Sequence, residues 1–405
     1  MMRTLALVLL IGASLGAVER KQIFPAGAKP VGPYSPGIMA GDYLYVSGQG
    51  ARDSDGKFAD TAEGRVRQTL KNVQSIVEAA GLTMEHIVYT QVYLHESTPY
   101  EVMDKVWREV FPRNPPARAT LGVYRMPTET PVEISAVAVR DLKMKKAVSP
   151  ASYPKDIPYA PGILTPDRLF VSGVLGRDAK TGSIPESPEA QVQLALDRMK
   201  EILAAAKLDF RHMVFINPYL TKNMPMRVMN DVYAKHFEFG NTPARATIVV
   251  HFLPRGANIE FTGVAVRDLK NRRAVRPKNM PPSATASPCV FAGDTYYCSA
   301  KSGFIPGPNG GIYADNTADQ VRQTMRNLLD GLEEAGLEFK HVVASNVYLD
   351  NLDEFQQMNA VYGKYFPAEM PPTRTTVAPL PPVERQRTAS GHYPKLEEIS
   401  IIAVR

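Results

Sequence analysis

Apolar positions in this chain switch between two periods, and the switching runs three times. In the first third, Ile38-Met39-Ala40-Gly41-Asp42-Tyr43-Leu44-Tyr45-Val46-Ser47 reads as strand, tight turn and strand. Val66, Leu70, Val73, Ile76, Val77 and Ala80 then recur at helical spacing, which predicts a helix over 61–80 ended by Gly81. Alternation returns over 86–94, a second helix fits 100–111, and prolines at 112–116 break it. Two last strands fit 119–124 and 132–139. The same order recurs with helices near 187–206 and 226–239, and again near 317–335 and 352–366. The third copy adds an insertion, 383–395, between its last two strands. A period this long, well beyond the roughly 20–50 residues of solenoid units, means three copies of one small domain. Two helices and about five half-apolar strands per copy suggest one sheet with both helices on one face. The other sheet face is apolar too, and neighbouring copies are the obvious cover.

Two charged residues keep their place in each copy. An Arg opens a strand after a Pro-rich turn: Pro116-Ala117-Arg118-Ala119-Thr120, Pro243-Ala244-Arg245-Ala246-Thr247 and Pro372-Thr373-Arg374-Thr375-Thr376. A Glu begins the apolar run that closes each copy, at Glu133, Glu260 and Glu398. The expected boundaries are repeat 1 at 20–146, repeat 2 at 147–273 and repeat 3 at 274–405.

Composition adds three points. The net charge of +6 is only mildly basic, and the short basic pieces at 143–146 and 271–273 read as solvated linkers, so no nucleic-acid partner is expected. Residues 1–17 resemble a secretory signal peptide: Arg3, an apolar run from Leu5 to Ala13, and small residues at Ser14 and Gly16. That run is shorter than the ~20 residues of a membrane span, so export with no membrane contact after cleavage is expected. The alternatives are an uncleaved anchor, a misassigned start, or a cytoplasmic protein. The two cysteines, Cys289 and Cys298, flank the turn at Gly293-Asp294. A two-residue hairpin would place them opposite each other within disulfide reach; two reduced core thiols are the alternative. His86, His212 and His341 also recur, each just before a strand, and read as solvated strand starts; no metal is expected.

Further short motifs keep a fixed order along the chain. Repeat 1 carries Gly32-Pro33-Tyr34-Ser35, Val46-Ser47-Gly48-Gln49, Gln68-Thr69, Asn72, Ala79-Ala80-Gly81-Leu82, Pro116-Ala117-Arg118 and Val132-Glu133-Ile134. Repeats 2 and 3 add Met229-Asn230-Asp231-Val232-Tyr233 and Met358-Asn359-Ala360-Val361-Tyr362. In this order the motifs resemble the Rid family of reactive-intermediate deaminases, and the resemblance implies a chorismate-mutase-like α+β fold, one mixed sheet per copy, in trimers with ligand clefts between subunits. Three copies in one chain therefore suggest an intramolecular pseudo-trimer.

It also implies hydrolysis of 2-imino or enamine acids to 2-keto acids and ammonia, without a cofactor. Arg118, Arg245 and Arg374 would hold the substrate carboxylate through a guanidinium fork. Glu133, Glu260 and Glu398 would handle the water. Tyr34, Tyr159, Ser47, Ser172, Gly48, Gly173, Thr120, Thr247, Asn230 and Asn359 would complete the substrate sites. The copies are unequal. Repeat 1 has Asp104 where the others have Asn230 and Asn359, and repeat 3 has Ala286, Ala300 and Lys301 in place of Tyr34, Gly48 and Gln49. One or two competent clefts are expected, those built from Tyr34 or Tyr159. A non-catalytic module for small carboxylates is the second reading, and a ribonuclease of the L-PSP type the third.

Overall fold

The computed structural model describes residues 18–28, 32–278, 280–307, 310–387 and 391–405; the expected signal peptide lies outside them. Repeat 1 runs β1 (Arg20–Ile23), β2 (Gly37–Ala40), β3 (Tyr43–Gln49), α1 (Ala62–Ala79), β4 (Ile87–Leu94), α2 (Tyr100–Val110), β5 (Ala117–Gly122) and β6 (Val132–Val139). Repeat 2 runs β7 (Lys146–Val148), β8 (Gly162–Leu164), β9 (Arg168–Leu175), α3 (Pro188–Ala205), β10 (Met213–Leu220), α4 (Met226–Tyr233), β11 (Ala244–Arg245), β12 (Ile248–Val249) and β13 (Ile259–Val266). Repeat 3 runs β14 (Arg272–Val275), β15 (Cys289–Ala292), β16 (Thr295–Lys301), α5 (Thr317–Glu334), β17 (Val342–Leu349), α6 (Phe355–Tyr362), β18 (Thr373–Val377) and β19 (Glu397–Val404).

Each repeat makes one mixed sheet; the first has the order β1-β2-β3-β6-β4-β5, with β4 and β5 parallel and the other pairs antiparallel. The expected five strands are six. The missed one opens each sheet, and the expected boundaries at 146/147 and 273/274 cut through β7 and β14. The basic pieces read as linkers are partly structural. Lys145 is buried and its ammonium donates to the carbonyls of Glu85 and Asn114; Arg272 donates to those of Met213 and Asn241. In repeat 2 the strand after the Pro-rich turn is split into β11 and β12. Pro218 in β10 has no N–H to give, and the Asn217 amide donates to the Ala246 carbonyl there. The second helices of repeats 2 and 3 are shorter than expected, each passing into a 3-10 turn at Ala234–His236 or Gly363–Tyr365.

Helices and sheet enclose one apolar core per repeat, such as Leu44, Val66, Leu70, Val73, Val106 and Ile134 in repeat 1. The other sheet faces meet one another. One cluster joins Tyr93 and Leu121 to Tyr219, Ile248 and Tyr348, so all three repeats share it. The ring closes through one contact used three times. The backbone N–H of Arg118 donates to Ser172 Oγ (2.8 Å), that of Arg245 to Ser299 Oγ (2.8 Å) and that of Arg374 to Ser47 Oγ (2.9 Å). Repeat 3 thus docks on repeat 1, and the chain is an intramolecular pseudo-trimer.

One residue exists in a single copy at the axis of this ring. Arg168 stands where its sister repeats have Tyr43 and Thr295. Its buried guanidinium contacts every repeat: it lies 4.2 Å over the Tyr43 ring, pairs with Asp167 at 2.6 Å, and donates to Tyr297 Oη (2.8 Å) and Thr295 Oγ1 (3.0 Å). Three arginines could not share that place without repulsion, so a single chain permits a packing that identical subunits could not adopt.

Cys289 and Cys298 are directly opposed on β15 and β16 and joined as a disulfide, with Cα atoms 4.0 Å apart. The turn between them needs Gly293 at φ +61°, a left-handed conformation that a Cβ would strain. The recurrent histidines close 3-10 turns: Nδ1 of His86, His212 and His341 accepts the N–H of Thr83, Asp209 and Glu338. Among the described residues no group of three or more His, Cys, Asp or Glu could hold a metal, and no helix is long and apolar enough to cross a membrane.

Candidate ligand clefts between the repeats

The Ser–Arg seams put each Arg beside the next repeat's Glu. Arg118 meets Glu260, Arg245 meets Glu398, and Arg374 meets Glu133. The Arg sits early in its strand because the Pro-rich turn before it bonds across the seam: the carbonyls of Pro116, Pro243 and Pro372 accept N–H groups from Ala160, Ser287 and Ser35 at 3.0 Å. Ser47 and Ser172, expected to serve a substrate, are committed here instead. Each Oγ accepts the Arg N–H and donates to a carbonyl of its own repeat, Ser35 or Ala160, at 2.6 Å.

In the cleft between repeats 3 and 1, Arg374 is buried among the rings of Tyr362 (5.0 Å), Tyr34 (5.3 Å) and Phe355 (5.3 Å). Arg374 Nη1, both amide atoms of Asn359 and Thr376 Oγ1 are buried with no hydrogen-bond partner among the described residues. Orphaned polar atoms in such density are costly, at about 1–3 kcal/mol each, and a ligand that pairs with them recovers that cost. Gly32 backs onto the pair: a Cβ there would lie 3.0 Å from Arg374 Nη2 and 3.2 Å from Asn359 Nδ2. Burial pulls the Arg374 pKa down. Burial also pushes the Glu133 carboxyl up to about 8, against the pull of Arg374 and the Thr376 N–H. Gly48 makes room for that carboxyl, since a Cβ there would fall 2.0 Å from Glu133 Oε1.

The cleft between repeats 1 and 2 keeps the same parts with one change. Glu260 is buried behind Gly173 and raised to about 8 by burial, with the Thr120 N–H and Arg118 opposing, and its Oε1 is orphaned. Tyr159 lies 5.1 Å from the Arg118 guanidinium. Arg118 itself is occupied. Its Nη2 pairs with Asp104 Oδ1 at 2.7 Å and donates to Tyr100 Oη at 2.9 Å, and Trp107 flanks it at 4.9 Å. Tyr100, Asp104 and Trp107 lie on one face of α2 at spacings of four and three, the signal that could have flagged this partnership.

The cleft between repeats 2 and 3 departs most. Arg245 Nη1 donates to Asn230 Oδ1 at 2.8 Å and the guanidinium lies over Tyr233. Glu398, an expected catalytic carboxylate, is instead ion-paired with Lys395 of the insertion. The reason is Ala300: its methyl group stands where Gly48 and Gly173 leave space for Glu133 and Glu260. Burial lowers the Lys301 pKa, opposed by Asp330 and Glu398. Antiparallel bridges Gly122–Phe252 and Arg125–Ala378 close the other two seams. Here Pro379, Pro381 and Pro382 cannot donate N–H groups, and a cavity of about 250 Å³ lies between Thr247, Ile248, Leu380, Leu396 and Glu398.

The description Endoribonuclease L-PSP matches this chain three times, over residues 26–140, 151–267 and 278–382. The chain belongs to the L-PSP (Rid) family. Its L-PSP relatives correspond to one repeat each. A RutC family protein of Pyrococcus horikoshii is 35% identical over 127 residues, which is 30% of this chain and 99% of that protein. A RutC family protein of Saccharolobus solfataricus is 35% identical over 112 residues, 27% of this chain and 89% of that protein. Among solved structures, TdcF of E. coli with bound serine is 28% identical and covers 30% of this chain and 99% of its own, with a TM-score of 0.29. The L-PSP match spans all three repeats, the one with the displaced Glu398 included.

Proposed function

We propose that the cleft between repeats 3 and 1 hydrolyses small 2-imino acids to 2-keto acids and ammonia, and that it is the one competent cleft of the three. The observation that carries this reading is the group of orphaned polar atoms on Arg374, Asn359 and Thr376 beside the buried Glu133. A planar carboxylate matches the guanidinium fork and the amide N–H. Glu133, protonated up to about pH 8, donates its proton to the imine nitrogen. Water adds to the carbon, and the resulting carboxylate takes the proton the water sheds. The same group then returns a proton to nitrogen and, as ammonia leaves, takes the hydroxyl proton while the carbonyl forms, which restores the protonated Glu133. Family membership and the serine bound by TdcF support a small amino-acid-like ligand. The test generates 2-iminobutanoate with an amino-acid oxidase and follows its decay. The wild type accelerates the decay and R374A does not; equal rates would reject the reading.

The occupied guanidinium of Arg118 and the captured Glu398 favour a second reading, a carboxylate-binding module without turnover. Calorimetric binding of 2-oxobutanoate together with no imine hydrolysis selects it.

A further inference from the structure

We infer that Asp104 is a resident carboxylate that holds the cleft between repeats 1 and 2 shut, and that this cleft is a complete but latent site for a 2-oxo or 2-imino monocarboxylate. The inference rests on the reading that the buried guanidinium takes the substrate carboxylate. Four other parts of the latent cleft have counterparts in the open one, although Ile157 and Val174 stand where the open cleft has Gly32 and Gln49. Tyr159 stands for Tyr34, Gly173 for Gly48, Glu260 for Glu133, and the Thr120 N–H reaches Glu260 as that of Thr376 reaches Glu133. The orphaned Glu260 Oε1 shows that the acid remains poised. At the guanidinium the second helix differs at three positions, Tyr100, Asp104 and Trp107 standing where repeat 3 has Phe355, Asn359 and Tyr362, and only Asp104 changes the charge. Where repeat 3 has Asn359, a neutral amide without a hydrogen-bond partner among the described residues, repeat 1 has Asp104 at 2.7 Å from Arg118.

Charge decides the consequence. Arg374 presents a positive charge to its cleft, whereas the charge of Arg118 is met by Asp104 at 2.7 Å, a carboxylate that Arg108 also approaches at 3.6 Å. An incoming carboxylate would have to displace a carboxylate already desolvated and bonded, and would then lie against it. Asp104 also stands on the outer side. It lines the opening between α2 and repeat 2 together with Tyr100, Arg177 and Arg255, while Arg118 lies behind it, almost wholly buried. Asp104 therefore sets which anions the cleft admits, and while it holds Arg118 the cleft admits none.

The chain supplies its own reporter. Trp107 is the only tryptophan, and it lies 4.9 Å from the Arg118 guanidinium. The test is D104N, which installs the residue found in the other repeats, titrated with 2-oxobutanoate by calorimetry and by tryptophan fluorescence. The wild type should bind about one equivalent with no change in emission. D104N should bind about two, with a saturable emission change that D104N/R118A loses. A folded D104N that binds one equivalent with silent emission overturns the inference, as does a wild type whose emission already responds. Should D104N not fold, D104A removes the same charge and is read the same way. The underlying reading fails separately: R374A would then keep the wild-type equivalent, whatever D104N does.

Discussion

Replacing Gly48 by Ala tests the cleft between repeats 3 and 1 without touching a charge. The added Cβ would lie 2.0 Å from Glu133 Oε1, 2.8 Å from its Cδ and 3.1 Å from its Cγ. Ordinary contacts need about 3.5 Å or more, so the carboxyl must move by more than an ångström. Repeat 3 already shows the outcome, because Ala300 occupies this position and Glu398 has turned to Lys395. A displaced general acid costs roughly 10²–10⁴-fold in rate, or about 3–5 kcal/mol of barrier. The atoms nearest the new methyl group all belong to Glu133, not to Arg374 or Asn359. G48A should therefore lose hydrolysis of 2-iminobutanoate while keeping its affinity for 2-oxobutanoate within a few-fold. Rates come from the oxidase-coupled assay, affinity from calorimetry. A G48A protein that turns over at the wild-type rate would refute the reasoning, because Glu133 would then not need the position Gly48 leaves for it.

Other consequences can be measured on the same protein. Hydrolysis should decline above about pH 8, as Glu133 loses the proton it donates, and the decline should be absent from the residual activity of E133Q. Stability follows the same sign. Glu133 and Glu260 keep protons in the fold that the unfolded chain releases above its ordinary carboxylate range. Their contribution is therefore lost as pH rises from about 5 to 8, on the order of a few kcal/mol, and urea titrations of E133Q should show a shallower slope; an unchanged slope contradicts the burial argument. R168L leaves Tyr297 Oη and Asp167 without their partner, and should cost about 2–4 kcal/mol in thermal or urea unfolding; an unshifted midpoint would remove Arg168 from the axis. Mass spectrometry without reductant should find Cys289 and Cys298 bonded, and the double Ser variant should lose about 2–3 kcal/mol; two free thiols in the native protein contradict the pairing.

The repeats, the helices and the place of each Arg and Glu were legible because they follow local rules: periodicity, glycine stops and Pro-rich turns. What a cleft does was less legible, because its parts come from different repeats. Arg374 and Glu133 lie far apart in sequence and meet only because the ring closes through Ser47. No spacing rule links them. Asp104 was noticeable as the odd residue in its helix, yet whether it reaches Arg118 depends on how α2 sits on the sheet. Lys395 lies in an insertion with no counterpart in the other repeats, so nothing foretold its capture of Glu398. The first strand of each sheet was missed for a simpler reason. Pieces such as Arg20–Ile23 and Arg272–Val275 are short and basic, and become strands only because β2 and β15 offer edges to pair with.

Three sequence-equivalent sites have thus taken three states: one whose guanidinium keeps an orphaned nitrogen among the described residues, one closed by its own carboxylate, one with its Glu turned away. The most direct test of that claim is the binding stoichiometry of 2-oxobutanoate, measured by calorimetry on the wild type and on R374A. The account predicts about one equivalent per chain for the wild type and none for R374A. Two or three equivalents for the wild type, or an equivalent that survives in R374A, would contradict it.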